Sequence, residues 1–315
     1  MRIVFMGTPD FASGVLDAIL TDKHHEIVGV VTAVDKAAGR GMKIKESSVK
    51  QLAQTYGLPV FQPVKLRESQ FADTLRSLNA DVFVVVAFRM LPEIIWKIPP
   101  KGTINLHASL LPHYRGAAPI NWAIINGETQ TGVTTFFINE NIDEGKILLR
   151  EKVEITPDDN AGVLHDKLLK VGKQLLLTTL RQIEDGVAEP QHQSEPDVLK
   201  LAPKIMKEHC RIDWNGSAVR IYNFIRGLSP YPAAFSEYKD KNGDVLLLKI
   251  FSCETEVLKH SLPCGTIETD NKNFLKIACQ DGCISVKELQ VFGKKRMSVR
   301  DFLLGNKTMH DVILF

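Results

Sequence analysis

The chain predicts a two-part α/β protein: a Rossmann-like, doubly wound open sheet followed by a small OB-like β-barrel. Three observations carry that expectation. Short apolar runs alternate with amphipathic helical stretches over residues 1–187. One of those runs, residues 82–87, is apolar throughout, as a central strand covered on both faces should be. Beyond residue 203 the texture changes to short β-like runs separated by turn residues.

The elements follow in order. Residues 2–6 are an apolar run ending in Gly7-Thr8-Pro9. Phe11, Val15, Leu16, Ile19 and Leu20 then mark one helical face; Thr8 is placed to cap that helix and Pro9 suits its first turn. The next apolar run, 27–31, completes a βαβ opening. A helix is expected at 48–56, a strand at Val60-Phe61, a helix at 69–78, the apolar strand at 82–87 and another strand at 102–106. Strands at 134–138 and 146–155 precede a long amphipathic helix. In it Leu164, Leu168, Val171, Leu175, Thr179 and Ile183 recur at steps of four and three, until Asp185-Gly186 ends it. Residues 188–203 are polar, hold three prolines and show no sustained period, so they read as a linker between domains at 1–187 and 204–315. After it, a helix at 217–225 leads into Gly227-Leu228-Ser229-Pro230-Tyr231-Pro232, a turn stiffened by two prolines. Strands are expected at 235–238, 245–251, 265–267, 275–278 and 283–291, the five of a small barrel.

Composition narrows the function classes. The 315 residues are 44% hydrophobic and 24% charged, ordinary values for a globular protein. No apolar run approaches the ~20 residues of a membrane span, and the N-terminus has no secretory pattern, so a cytoplasmic protein is expected. The five cysteines are odd in number and form no CxxC pair, which suggests free thiols rather than a disulfide framework or a zinc site. Net charge is only +2, but from Lys204 onward there are 17 Lys and Arg against 13 Asp and Glu, a net of +4, leaving −2 for the rest. A basic C-terminal part is compatible with a polyanionic partner.

The chemistry concentrates at residues 105–116, Asn-Leu-His-Ala-Ser-Leu-Leu-Pro-His-Tyr-Arg-Gly, which follow an expected strand. Ligands of open α/β sheets bind beyond the carboxyl ends of the strands. Asn105 and His107 are two apart in a strand and so share a face. Acyl transfer to an amine needs a proton acceptor, which His107 can be, and a donor for the tetrahedral oxyanion, which the Asn105 amide can be. Asp143, in the turn Asn141-Ile142-Asp143-Glu144-Gly145, is the carboxylate best placed to orient the imidazole. A structural histidine and a plain acidic turn are the bland alternatives for either residue alone. No Gly-x-Ser-x-Gly nucleophile competes, and His107 with His113, six apart across a proline, is a poor metal pattern, so no metal is expected.

The run from Asn105 to Gly116, with Asp143 downstream, resembles the folate-dependent formyltransferases. Met6-Gly7-Thr8-Pro9-Asp10-Phe11, Ala38-Gly39-Arg40-Gly41, Ala202-Pro203-Lys204-Ile205, residues 225–232 and Gly293-Lys294-Lys295-Arg296-Met297 extend the likeness to the tRNA-acting branch of that family, over effectively the whole chain. The resemblance implies a formyl donor, 10-formyltetrahydrofolate, and an acceptor, the free amine of methionine on initiator tRNA, with no membrane partner and a monomeric enzyme. It implies that Asn105, His107 and Asp143 are the catalytic trio and that Ser109, Leu110, Leu111 and Pro112 line the folate site. One departure stands out: where the family commonly has Tyr-Gly before Leu-Pro, this chain reads Phe88-Arg89-Met90-Leu91-Pro92, and Arg89 is given no role.

Two stretches suit an acidic partner. The loop at 33–47 sets Lys36, Arg40, Lys43 and Lys45 against Asp35 and Glu46, with Gly39 and Gly41 flanking Arg40. Residues 287–307 carry Lys294, Lys295, Arg296 and Arg300. Solvated surface loops are the plain alternative for both; the resemblance assigns Arg40, Lys43, Lys45, Lys294, Lys295 and Arg296 to tRNA. A formyltransferase for a small amine, such as a glycinamide ribotide or an amino-sugar nucleotide, is the second reading, and it would not need the basic C-terminal part. A nicotinamide oxidoreductase is a weaker third, because Gly7-Thr8-Pro9 is not GxGxxG and no acidic residue closes the second strand at Val31.

Overall fold

The computed structural model describes residues 1–38, 43–240, 242–306, 309–310 and 312–315. The chain folds as two compact units. Met1–Gly116, Gln130–Glu154 and His165–Leu201 form the first; Ala117–Thr129, Ile155–Leu164 and Ala202–Phe315 form the second.

The first unit is built on a seven-stranded sheet in the order Ile147–Glu154, Gln130–Phe137, Thr103–His107, Val82–Val86, Arg2–Gly7, Glu26–Val31, Val60–Phe61. The five strands from Thr103–His107 to Val60–Phe61 pair in parallel, and the Gln130 and Ile147 strands are antiparallel additions. Every residue of Val82–Val86 is buried, which accounts for its apolar run. On one face Val4, Met6, Phe83 and Val85 pack against Leu75, Leu91 and Ile95. Each such side chain contributes about 1.5–3 kcal/mol over leaving it in water. The long helix Ala161–Asp185 runs where its four-and-three spacing places it.

Three details differ from the sequence reading. Thr8 does not cap the first helix: Asp10–Asp22 starts one residue later than a Thr8 cap would require, Pro9 occupies the cap position, and no side chain bonds the free N–H groups. Asp10 in the first turn complements the helix dipole instead. The strand expected at 134–138 begins four residues earlier, at Gln130. Short helices at Glu93–Trp96, Pro119–Ile125 and Val299–Gly305, and short strands at Lys36–Ala38 and Lys43–Lys45, are too brief for periodicity to register.

Residues 188–203 are not a free tether. Gln191 exchanges both backbone hydrogen bonds with Ile147, at 2.7 and 2.8 Å, on the edge strand of the sheet. The amide N–H of Tyr114 likewise donates to the Lys200 carbonyl at 2.6 Å.

The second unit holds an antiparallel sheet in the order Ala234–Lys239, Val245–Val257, Gly282–Val291, Leu275–Cys279, Ile267–Thr269, with Met297–Ser298 added to the Gly282 strand. Its two edges are joined by the last residues. Val312 accepts from the Ile267 N–H and Leu314 donates to Gly265 on one edge, while Phe315 exchanges hydrogen bonds with Glu237 on the other. This is the OB-like β domain that the five short runs implied. Trp214, Ile225, Leu228, Leu248, Ile277, Leu289 and Phe302 fill its core. The segments at 117–129 and 155–164 belong to it by direct bonds: Asn121 Nδ2 donates to the Gly227 carbonyl at 2.8 Å, and Arg226 Nη1 donates to the carbonyls of Asp159 and Thr156 at 2.8 and 3.3 Å.

All five cysteines are free and four are buried; burial pushes the Cys253 thiol up to about 12. Among the described residues no helix is long and apolar enough to cross a membrane.

Candidate active site

The strand Thr103–His107 ends at the carboxyl edge of the sheet, its register fixed by Val85 opposite Asn105 on one side and by Phe136 and Thr134 opposite Asn105 and His107 on the other. Strand alternation puts Asn105 and His107 on one face, as their spacing predicts. The Asn105 Oδ1 atom is buried and has no hydrogen-bond partner. A buried orphan acceptor costs about 1–3 kcal/mol, and a ligand group that donates to it is one way to meet that cost.

His107 is held at one ring nitrogen and faces a carboxylate with the other. Its Nε2 lies 2.8 Å from the Tyr114 carbonyl oxygen. A carbonyl only accepts, so this bond assigns the proton to Nε2 and leaves Nδ1 as the basic atom. Nδ1 faces Asp143 Oδ2 at 3.8 Å, with both side chains nearly closed off from solvent (8% and 12% exposed). The same carboxylate oxygen accepts from the Gly116 N–H at 2.9 Å. A proton reaching Nδ1 therefore meets an adjacent negative charge that is already fixed to the backbone.

The loops that present these groups are tightly determined. Tyr114 and Asp143 both adopt the left-handed conformation, with φ of 61° and 56°. Asp tolerates that region; a β-branched residue would not. Gly145 follows because a Cβ there would stand 1.6 Å from the Phe137 carbonyl oxygen. Gln193 Nε2 donates to the carbonyls of Asp143 and Gly145, and Arg115 Nη1 pairs with Glu144 at 2.7 Å. Tyr114 and Arg115 lie in the 105–116 run without a role of their own in the sequence reading, and Glu144 and Gln193 carried no functional reading there. For Tyr114 no side-chain signal exists, because its backbone carbonyl is what holds the imidazole.

The four residues assigned to a folate site divide. Ser109 is buried and its Oγ donates to the His113 carbonyl at 2.7 Å. Thr134 Oγ1 donates to the Ser109 carbonyl at 2.7 Å and accepts from the Leu111 N–H at 3.2 Å. Leu111 packs with Phe136 and Ile147, and its carbonyl accepts from Arg150 at 3.0 Å. Pro112 is buried and follows a cis peptide bond; Leu110 is half-buried over Gly132. Arg89, at the departure from the family pattern, donates to the carbonyls of Pro63 and Val64 and lies over the Phe88 ring.

Of the basic residues, Arg40 lies outside the described residues. Lys43 sits in the short strand Lys43–Lys45, and Lys45 is exposed. Lys294 and Lys295 are exposed in the turn after the Gly282–Val291 strand, whereas Arg296 pairs with Glu288 and covers the Phe251 ring at 4.5 Å. Among the described residues the sole grouping of three metal-type side chains is His24, His25 and Glu184, whose carboxylate already bonds the Met1 amino group and His24.

Comparison with known proteins shows the family to which the chain belongs. Residues 1–180 match the family profile described as formyl transferase, and residues 204–307 match the formyl transferase C-terminal domain. A protein of Bacteroides thetaiotaomicron named methionyl-tRNA formyltransferase is 51% identical over 308 residues, covering 97% of this chain and 95% of its own. One of the same name from Flavobacterium johnsoniae is 50% identical over 305 residues, covering 97% and 96%. Among solved structures, an N-formyltransferase from Helicobacter canadensis, in complex with folinic acid and dTDP-3-aminofucose, superposes with a TM-score of 0.65 at 17% identity, covering 94% of this chain and 100% of that one. HypX from Aquifex aeolicus in complex with tetrahydrofolic acid gives 0.64 at 20% identity, covering 96% of this chain; the chain spans 47% of HypX. At these identities the two structures speak for the fold alone.

Proposed function

Because the chain belongs to the formyl transferase family, we propose that its site moves the formyl group of 10-formyltetrahydrofolate onto the free amine of methionine carried by initiator tRNA. The observation that carries the chemistry is the buried, unpartnered Asn105 amide oxygen beside an imidazole that faces Asp143. An amide there can meet the reacting group: its NH2 end donates to the oxyanion of a tetrahedral state, and its oxygen accepts from the attacking amine. His107 takes the amine's proton on Nδ1, and Asp143 balances the resulting charge while Tyr114 fixes the ring. One donor of the Asn105 kind is worth roughly 100- to 1000-fold in rate.

The acceptor follows from the relatives, which share about half of all positions over nearly their full length and are named for methionyl-tRNA. The second domain and its exposed Lys294 and Lys295 suit a phosphate backbone, with Arg296, Arg40, Lys43 and Lys45 as further contacts. The enzyme acts as a cytoplasmic monomer in this reading. Nothing favours the small-amine alternative.

The test is formyl transfer to charged initiator tRNA set beside charged elongator methionine tRNA. A marked preference for the initiator is expected. Equal rates would overturn the selectivity, and no transfer to either would overturn the reading.

A further inference from the structure

We propose that Gln193, from the segment that joins the two family-matched regions, is a positioning residue that holds Asp143 in register with His107. The inference rests on the catalytic reading of Asn105, His107 and Asp143 given above.

The Gln193 amide is fully used. Nε2 donates to the Asp143 carbonyl at 2.8 Å and to the Gly145 carbonyl at 3.0 Å, while Oε1 accepts from Arg115 Nη2 at 2.7 Å and Nε at 3.2 Å. An amide has two N–H donors and one oxygen with two lone pairs, so all four positions are filled.

What it holds is the turn that carries the catalytic carboxylate. Asp143 is in the left-handed region and Gly145 approaches the Phe137 carbonyl too closely for any side chain. The carbonyls on either side of Glu144 are the two that Gln193 ties down. Its other end grips Arg115, whose Nη1 reaches Glu144 from the opposite direction. The residues flanking Arg115 complete a circuit: Gly116 donates to Asp143 Oδ2, and the Tyr114 carbonyl accepts from His107 Nε2. Gln193 is itself fixed from two residues away, where Gln191 pairs with the Ile147 edge strand.

Without the amide, the Asp143 turn keeps its peptide sequence but loses its clamp. The carboxylate that faces His107 Nδ1 at 3.8 Å then keeps the Gly116 N–H but rides on an unclamped turn. Misplacement of a reacting group by about 1 Å can cost on the order of 100-fold. The four Gln193 side-chain bonds go to Asp143, Gly145 and Arg115, so the effect is expected in kcat.

The experiment uses the full chain carrying Gln193→Ala, assayed beside the unsubstituted protein with charged initiator tRNA and 10-formyltetrahydrofolate, well below the melting temperature. The expected result is kcat reduced about 10- to 100-fold, with KM for both substrates within about twofold. Gln193→Glu keeps the acceptor for Arg115 but offers no donor to the two carbonyls, and its kcat should fall comparably. An arm independent of turnover is the imidazole 15N resonances of His107, which should move in both variants. Inactive unsubstituted protein would count against the function reading alone, and the resonances would still decide for or against Gln193. Unchanged kcat, a loss confined to KM, or unmoved His107 resonances would overturn the proposal. So would failure of both variants to fold, which would make Gln193 a residue of stability only.

Discussion

His107 and Asp143 face each other without touching: Nδ1 and Oδ2 are 3.8 Å apart, beyond a direct hydrogen bond, while the opposite ring nitrogen is committed to the Tyr114 carbonyl. The pair is arranged to receive a proton rather than to share one already present. Asp143→Asn keeps the left-handed backbone tolerance but removes the charge that faces Nδ1. We expect kcat to drop by about 100-fold or more with a melting temperature close to that of the unsubstituted protein. Asp143→Ala should lose stability as well, since it also surrenders the Gly116 bond. Kinetics and thermal melts on the two variants separate these effects.

Asn105→Ala should separate activity from stability. Removing the amide deletes an oxyanion donor, a loss of roughly 100- to 1000-fold in kcat. It also deletes a buried acceptor that has no partner in the free protein, so the melting temperature should hold or rise. Full turnover by a folded Asn105→Ala protein would remove Asn105 from the mechanism.

Gly132 lies in the Gln130 strand, and a Cβ there would stand 2.1 Å from the Glu151 carbonyl oxygen and 2.5 Å from Leu110 Cδ2. The Leu110 side chain can shift, but the Glu151 carbonyl is backbone of the paired strand and cannot yield. Gly132→Ala should cost about 2–4 kcal/mol of stability, read as a lower midpoint in urea. Gly305→Ala, where nothing lies within 4 Å at the end of a helix, should be neutral or slightly stabilising.

Acid stability should depend on Glu184. The Met1 amino group and then His24 pull its carboxyl down from the usual range to about 2. A carboxyl lowered by folding contributes stability that is complete above its unfolded value, near 4.5, and is lost as pH falls from there toward 2. His25 nearby is lowered chiefly by burial, so the unfolded chain protonates it first and stability falls with acid there too. The melting temperatures of the unsubstituted protein and of Glu184→Gln should differ most at about pH 6 and converge as pH falls from about 4.5 toward about 2. A gap that widened in acid would contradict the sign.

Binding of tRNA should be salt-dependent in proportion to the lysines engaged. Lys294→Ala and Lys295→Ala are each expected to weaken binding of any tRNA alike and to reduce the slope of log K against log salt by about 0.7–0.9. Filter binding across a salt series measures it. An unchanged slope would release the turn after residue 291 from this role.

The sequence made the sheet legible because its strands are either uniformly apolar, as in Val82–Val86, or set between strong helical periods. Asn105 and His107 were legible through a spacing that strand geometry converts directly into a shared face, and Asp143 through its turn. Gln193 was not, because its partners lie 48, 50 and 78 residues away and nothing local distinguishes it from a solvated glutamine. Thr8 misled because a suitable capping residue does not fix which residue takes the cap position. The contacts of Ser109 with His113 and Thr134, and of Leu111 with Phe136, Ile147 and Arg150, depend on the loop's path, which residue types do not encode.

The five passages of the chain between the two units have a consequence for inheritance. A gene fragment opened at codon 204 would omit Asn121, Thr156 and Asp159, and so the bonds they make to Gly227 and Arg226. The second unit is therefore not a cassette. Recombination between relatives at that junction would pair each C-terminal sheet with another lineage's 117–129 and 155–164 segments, and the exchange would keep these bonds only where the donors and acceptors at 121, 156, 159, 226 and 227 still matched.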